Sequence, residues 1–169
     1  MQKLGNKIML IGPGGSGKST LAQRLGEITK LPVIYLDKER KEGEPQDAWL
    51  SRMHEFTMGE CWIIDGNMGV ANMDERMAHA TSIIFLDFSP YICLWRGFSR
   101  HVWQHMRKQE REDGCPAQFD RTFVKWVWQF PKVQRIAIHE KLDAYRDKRI
   151  ILRNPREVRA LLKQAHSLR

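Results

Sequence analysis

Apolar and polar positions alternate along the chain in two rhythms. Short apolar runs suited to buried strands occur at Lys7–Ile11, Val33–Leu36 with Asp37 at its end, Cys61–Ile64 leading into Asp65-Gly66-Asn67, Ser82–Asp87 and Arg149–Arg153. The run Ser82-Ile83-Ile84-Phe85-Leu86 is the most continuous, the pattern of a parallel strand covered on both faces. Between the runs the spacing changes to the helical period. Leu21, Leu25 and Ile28 share one stripe, closed by Leu31-Pro32, and Trp49, Met53 and Phe56 share another, closed by Gly59. A polar stretch from Lys38 to Gln46 separates the second strand from that helix. Met73, Met77 and Ala80 line a short helix that Asn72 and Glu75 open as a capping box. Asn154, Pro155 and Glu157 announce a final helix on Val158, Leu161, Leu162 and Ala165.

The longest helical pattern covers 91–111. At roughly 100° per residue, Tyr91, Leu94, Trp95, Phe98, Val102 and Met106 share one face, and Arg96, Arg100, Arg107 and Arg111 fall within about 60° of one another on the opposite face. Residues 112–121 interrupt the pattern with Gly114 and Pro116 and read as a mobile tip. Phe123, Val127 and Phe130 then resume the helical spacing, with Pro131 expected to kink or interrupt it, and Ile136, Glu140 and Leu142–Tyr145 carry it on. The aromatics of 123–130 read as packing against the 91–111 helix in preference to a base-stacking platform. Without a repeat, a low-complexity tract or a linker, residues 1–169 read as one domain.

The chemistry concentrates after the first strand. Gly12-Pro13-Gly14-Gly15-Ser16-Gly17-Lys18-Ser19 fits G-x-x-x-x-G-K-[ST], and strand, loop and helix stand in the order that motif requires. Glycines let the backbone take positive φ and approach a ligand, so consecutive N–H groups of 14–19 form an anion nest, backed by a helix N-terminus near Gly17. Lys18 is placed to reach β- and γ-phosphates, and Ser19 to offer a hydroxyl to Mg²⁺. The nucleotide-binding stretch is Gly12 to Thr20. An arginine row beside a polyphosphate site reads as phosphate-facing, because guanidinium groups pair bidentately with phosphoryl oxygens.

The net charge of +8 and pI near 9.6 are compatible with nucleic acid, an anionic surface or phosphate-rich small molecules. No apolar run approaches the ~20 residues of a membrane span, and no signal-peptide pattern precedes the phosphate loop. Cys61, Cys93 and Cys115 are scattered, which points to free thiols in a reducing cytoplasm without a metal cluster.

The layout resembles the P-loop kinases of the adenylate kinase and shikimate kinase type. More narrowly it resembles the small bacterial DNA topology modulation, or FlaR-like, proteins. The resemblance is carried by Gly12–Thr20, Tyr35-Leu36-Asp37, Trp62-Ile63-Ile64-Asp65-Gly66-Asn67, Ile84-Phe85-Leu86-Asp87-Phe88, Gly114-Cys115-Pro116 and Phe123–Pro131 with its Trp126-x-Trp128 core. It implies a three-layer α/β/α fold around a five-stranded parallel sheet, with a helical lid at about 107–121. It also implies transfer of the γ-phosphoryl group of ATP·Mg²⁺ to a small acceptor: a nucleotide, a nucleoside or another metabolite. Asp65 would hold Mg²⁺ through water together with Ser19; Asp37 would meet the acceptor; Arg107 and Arg111 would grip the moving phosphoryl group beside Lys18. Asp37, Arg52, Asn67, Arg76 and Arg100 form the expected acceptor-binding set. One departure is that relatives carry an aromatic-rich segment where this chain reads Lys38-Glu39-Arg40-Lys41-Glu42-Gly43. The competing expectation is a nucleic-acid-associated ATPase or regulator, suggested by the basic charge, the Trp-rich segment and the name of the narrower family, although no DNA-reading motif is present.

Overall fold

The computed structural model describes residues 4–69, 72–107 and 120–167, without the side chains of 104–107. Five parallel strands form one sheet in the order β2-β3-β1-β4-β5, with β1 at Lys7–Ile11, β2 at Val33–Tyr35, β3 at Trp62–Asp65, β4 at Ser82–Leu86 and β5 at Arg149–Leu152. The register places Leu10 beside Asp65 and Ile84, and Tyr35 beside Asp65. The carboxyl ends of β1, β2 and β3 therefore lie together, the edge where open α/β sheets bind ligands.

Strand alternation divides the core in two. Ile8, Leu10, Ile63 and Ile84 face Leu21, Leu25 and Leu161, which belong to α1 (Lys18–Thr29) and α7 (Pro155–Ser167). Met9, Ile11, Ile64, Ile83 and Phe85 face the other way, onto Trp49 and Met53 of α3 (Gln46–Met58), Met77 of α4 (Asp74–His79), and Phe130, Ile138 and Leu142 of α6 (Arg121–Asp143). With both faces covered, β3 and β4 are buried along their whole length, and their only polar residues are Asp65 at the end of β3 and Ser82 at the start of β4. α7 opens as expected: Asn154 Oδ1 accepts from the amides of Arg156 and Glu157, and Glu157 Oε2 accepts from the amide of Arg153.

Four local expectations are revised. Strand two stops at Tyr35, and Leu36–Glu39 coils into a single turn, α2, that starts the polar stretch. Asn72 does not cap α4: the cap position is Met73, without a side-chain bond, and Asn72 Nδ2 donates to the Met68 carbonyl. α6 runs through Pro131 without interruption, because neighbouring contacts of Phe130 and Ile138 with the core hold it in place. α5 covers Pro90–Arg107, and it meets the core through Cys93, with Ile92 and Leu94 packed beside it, whereas Tyr91, Trp95, Phe98 and Val102 of the expected stripe are exposed. The expected tip and most of the expected lid, including Arg111 and Gly114-Cys115-Pro116, lie outside the described residues.

Candidate active site

The loop between β1 and α1 is built as its glycines dictate. Gly15 and Gly17 have φ of 76° and 94°, values an L side chain rarely takes, and Gly17 caps α1 without any side-chain bond. The first backbone bond of α1 is from Leu21 N–H to the Gly17 carbonyl. The amides of Lys18, Ser19 and Thr20 thus have no intrahelical acceptor and point their partial positive charge at the mouth of the loop. Ser16, fully buried, donates its hydroxyl to the Pro13 carbonyl at 2.7 Å and fixes the loop from inside. Lys18 Nζ lies across the mouth, donating to the carbonyls of Gly12 at 3.0 Å and Pro13 at 3.1 Å.

Directly beneath sits the strand-end carboxylate. Ser19 Oγ donates to Asp65 Oδ2 at 2.6 Å, whereas Asp65 Oδ1 is buried with no hydrogen-bond partner among the described residues. Burial pushes the Asp65 carboxyl above the usual carboxylate range. Lys18 and the Ser19 bond oppose that rise, and the charge of Asp37 adds to it. An unsatisfied buried carboxylate oxygen beside a serine hydroxyl is a donor set suited to a hard divalent cation, which prefers oxygen ligands and brings its own waters. Ser19 and Asp65, the two residues expected to hold Mg²⁺, therefore fit it.

The other expected residues divide. Asn67 joins the site as a brace: its side chain accepts from the Gly12 amide at 3.0 Å and donates to the Gly12 carbonyl at 2.8 Å, clamping the turn after β3 to the phosphate loop. Asp37 is exposed on α2, near enough to Asp65 to bear on its charge. Arg76 is buried at 1% exposure. Its guanidinium donates to the carbonyls of Gly66 and Asn67 at 2.8 Å and of Asn72 at 3.3 Å, and burial draws it down to about 10. It props the turn that carries Asn67. Arg52 is engaged by acids, with Glu44 at 2.8 Å and the Glu39 carboxylate at 3.2 Å, and lies over the rings of Trp49 and Phe56. Its hydrogen bond holds the Glu44 carboxyl below the usual range. Arg100 is exposed on α5. The side chain of Arg107, the last residue of α5, and all of Arg111 lie outside the described residues.

Three features escaped the sequence reading. Arg96, a member of the arginine row, donates to the Ser16 carbonyl at 2.9 Å, and its guanidinium stands against Gly17. Its i, i+4 relation to Arg100 was the available signal. Second, the loop is covered by aromatics: a Cβ on Gly14 would come within 2.5 Å of the Trp126 ring and 2.8 Å of the Phe123 ring. Trp126 thus packs against the loop as well as the core. Third, Asp87 at the end of β4 accepts a bidentate pair from Arg135, 2.6 and 2.8 Å, and faces His139 Nε2 at 3.2 Å. Burial alone would raise the Asp87 carboxyl, but Arg135 and then His139 outweigh it and hold it below the ordinary value. Spacing along the sequence cannot reveal that cluster, whose members are 48 and 52 residues apart.

No family model matches the chain, and no curated protein does. Solved structures do match. A shikimate kinase from Acinetobacter baumannii in complex with shikimate superposes with a TM-score of 0.63 at 18% identity, covering 95% of this chain and 90% of that one. A shikimate kinase from Bacteroides thetaiotaomicron gives 0.52 at 19%, covering 95% and 96%. A gluconokinase from Sinorhizobium meliloti 1021 gives 0.56 at 15%, covering 98% and 92%. At these identities the likeness is one of architecture: the chain has the three-layer α/β/α fold of the P-loop kinases, with a five-stranded parallel sheet.

Proposed function

We propose that the protein is a kinase that transfers the γ-phosphoryl group of ATP to a small-molecule acceptor with Mg²⁺. The observation that carries this reading is the Ser19–Asp65 pair at 2.6 Å, with its unpartnered Asp65 Oδ1, set beneath Lys18 at the mouth of a left-handed glycine loop. Phosphoryl transfer asks the protein mainly for positioning and charge neutralisation. The amides of 14–19 and Lys18 bind the β- and γ-phosphates, with Thr20 in the same first helical turn. Asn67 and Arg96 keep that nest rigid from two sides. Bound Mg²⁺ supplies Lewis-acid charge stabilisation at the phosphate oxygens, with Ser19 and Asp65 to hold it. Arg100, with Arg107 and Arg111, faces the charge that spreads over the moving phosphoryl oxygens. Asp37 orients the acceptor hydroxyl and takes its proton. Arg52 and Arg76 belong to the acceptor side as supports: the first shapes the wall beside Asp37, the second fixes the turn bearing Asn67. The narrower kinship with topology modulation proteins, carried by Trp62–Asn67 and Trp126-x-Trp128, is part of the same proposal, as is a cytoplasmic location.

Incubation with ATP·Mg²⁺ and a panel of nucleotides, nucleosides and hydroxylated metabolites, read by mass spectrometry, tests the reading. A phosphorylated product dependent on Lys18 is expected. Lys18→Ala removes a preorganised cation and lowers turnover on the order of 10²-fold or more. Wild-type turnover in that variant, or no nucleotide binding by calorimetry at millimolar concentration, contradicts it. The basic charge of +8 motivates a second reading, contact with nucleic acid. Its signature is binding that weakens steeply with salt, and a flat salt response removes it.

A further inference from the structure

Arg76, on α4, is a buried cation with no carboxylate partner among the described residues. Its guanidinium donates to main-chain carbonyls: those of Gly66 and Asn67 at 2.8 Å, and that of Asn72 at 3.3 Å from both Nε and Nη2. Burying a charge without a counter-charge is costly, and the acceptors it gathers all lie on the stretch between β3 and α4. That stretch is strained: Met68 has φ of 48°, a left-handed value that a residue with a side chain holds only when its surroundings enforce it. The stretch carries Asn67, whose Oδ1 accepts from the Gly12 amide at 3.0 Å and whose Nδ2 donates to the Gly12 carbonyl at 2.8 Å. The same Gly12 carbonyl accepts from Lys18 Nζ at 3.0 Å. We propose that Arg76 is a positioning residue for the nucleotide: through Asn67 and Gly12 it sets where the Lys18 ammonium stands.

Three observations carry the relay. The first is that Gly12 cannot anchor itself with a side chain. A Cβ there would lie 2.8 Å from the Leu86 carbonyl, so the two-point clamp of the Asn67 amide fixes its backbone from outside the loop. The second is the division of the Lys18 acceptors. The Pro13 carbonyl, 3.1 Å from Nζ, is held from inside the loop by the Ser16 hydroxyl, whereas the Gly12 carbonyl is held from the turn after β3. Lysine is a point charge on a flexible four-carbon stem, so the place of its ammonium follows those two oxygens. The third is the route. Arg76 binds the carbonyl of Asn67 itself and that of Gly66 before it, which fixes the backbone from which the clamp extends. The guanidinium does this as one planar fork, with its donors in fixed relation to one another.

This role rests on the nucleotide-binding reading proposed above, and calorimetry of the full chain with ATP·Mg²⁺ tells the two apart. The wild type is expected to bind. Asn67→Ala and Arg76→Lys, each checked for native circular dichroism, are each expected to weaken that binding about 10-fold or more, because a group misplaced by about 1 Å loses much of its effect. Arg76→Lys keeps the charge, but one ammonium cannot span the three carbonyls that the fork spans. Arg76→Gln, which keeps two donors without the charge, answers the same question should Arg76→Lys not fold. In the double variant the affinity should match that of Asn67→Ala alone within about two-fold, since Arg76 works through Asn67. A purely structural arginine would lower the melting temperature and leave the affinity of the folded protein unchanged. Wild-type affinity in the Arg76 variant therefore overturns the positioning role while the nucleotide reading stands. Losses that multiply in the double variant overturn the relay in the same way, because they make the two residues independent. No binding by the wild type overturns the nucleotide reading and the positioning role with it.

Discussion

Asp65 is held in a conformation that costs stability and serves binding. Its carboxyl is raised by burial, so in the folded state it stays protonated to a higher pH than in the unfolded chain. The contribution of such a group to stability is full below its unfolded pKa and is lost as pH climbs through the raised folded value. Asp65→Asn removes that loss and keeps an acceptor for Ser19. The metal-free variant is expected to melt higher than the wild type at pH 7, with the gap absent near pH 4 and widening as pH rises. The same substitution should weaken Mg²⁺-dependent turnover by about 10–100-fold, the usual effect of an outer-sphere metal partner. Thermal melts across pH, read beside kinetics, separate the two effects; a lower melting temperature at pH 7 would show that the carboxylate stabilises rather than strains the loop. Asp87 has the opposite sign. Its lowered carboxyl contributes stability above the ordinary pKa near 4 and loses it as pH falls through the depressed value. Asp87→Asn, which leaves Arg135 half-exposed without its bidentate partner, should cost about 1–3 kcal/mol at pH 7. Denaturant titrations should show that cost at pH 7 and its loss in strong acid, as the carboxyl is protonated.

The phosphate loop as an element is fastened from every side. Asn67 holds Gly12, Arg96 holds the Ser16 carbonyl, and the Trp126 and Phe123 rings lie on Gly14. Gly15 has the Cys93 backbone where a Cβ would go, and burial pushes the adjacent Cys93 thiol up to about 11. Gly14 is not at positive φ, so its need for glycine is purely one of space. Gly14→Ala is expected to cost about 1–3 kcal/mol through overpacking. Trp126→Leu in the same chain should recover part of that loss, a coupling that a double-mutant cycle on melting free energies would measure. Additive losses would mean that the indole and the loop do not press on each other. Much of this element was legible in the sequence, because G-x-x-x-x-G-K-S between a strand and a helix encodes its own backbone geometry. The braces were not. Asn67 was expected on the acceptor side, not as a clamp on Gly12, and Trp126 only as a packing residue. Arg76 read as a free cation because helical spacing cannot tell a surface arginine from one buried on carbonyls. The Asn72 cap failed for a similar reason: its side chain found a nearer acceptor in Met68.

Across the whole molecule, the alternation of Ile8, Met9, Leu10 and Ile11 between two core layers explains why the architecture could be read so far in advance. Strands with continuous apolar centres, flanked by helical periods, have few ways to be buried, and a parallel sheet covered on both faces is the chief one. Strand order could not be read that way, since it depends on pairings such as Met9 with both Ile64 and Ile83. The α5 stripe exposes the limit of periodicity most clearly. Tyr91, Trp95, Phe98 and Val102 carry the spacing of a core face, yet that face points outward. A pattern of apolar positions marks a face, but not which way that face points.

The indole of Trp126 has one practical consequence. Resting on Gly14, it is an optical probe built into the proposed nucleotide loop. Ligand entry should change its emission or its quenching, so unlabelled protein in a stopped-flow fluorimeter can time nucleotide arrival and departure.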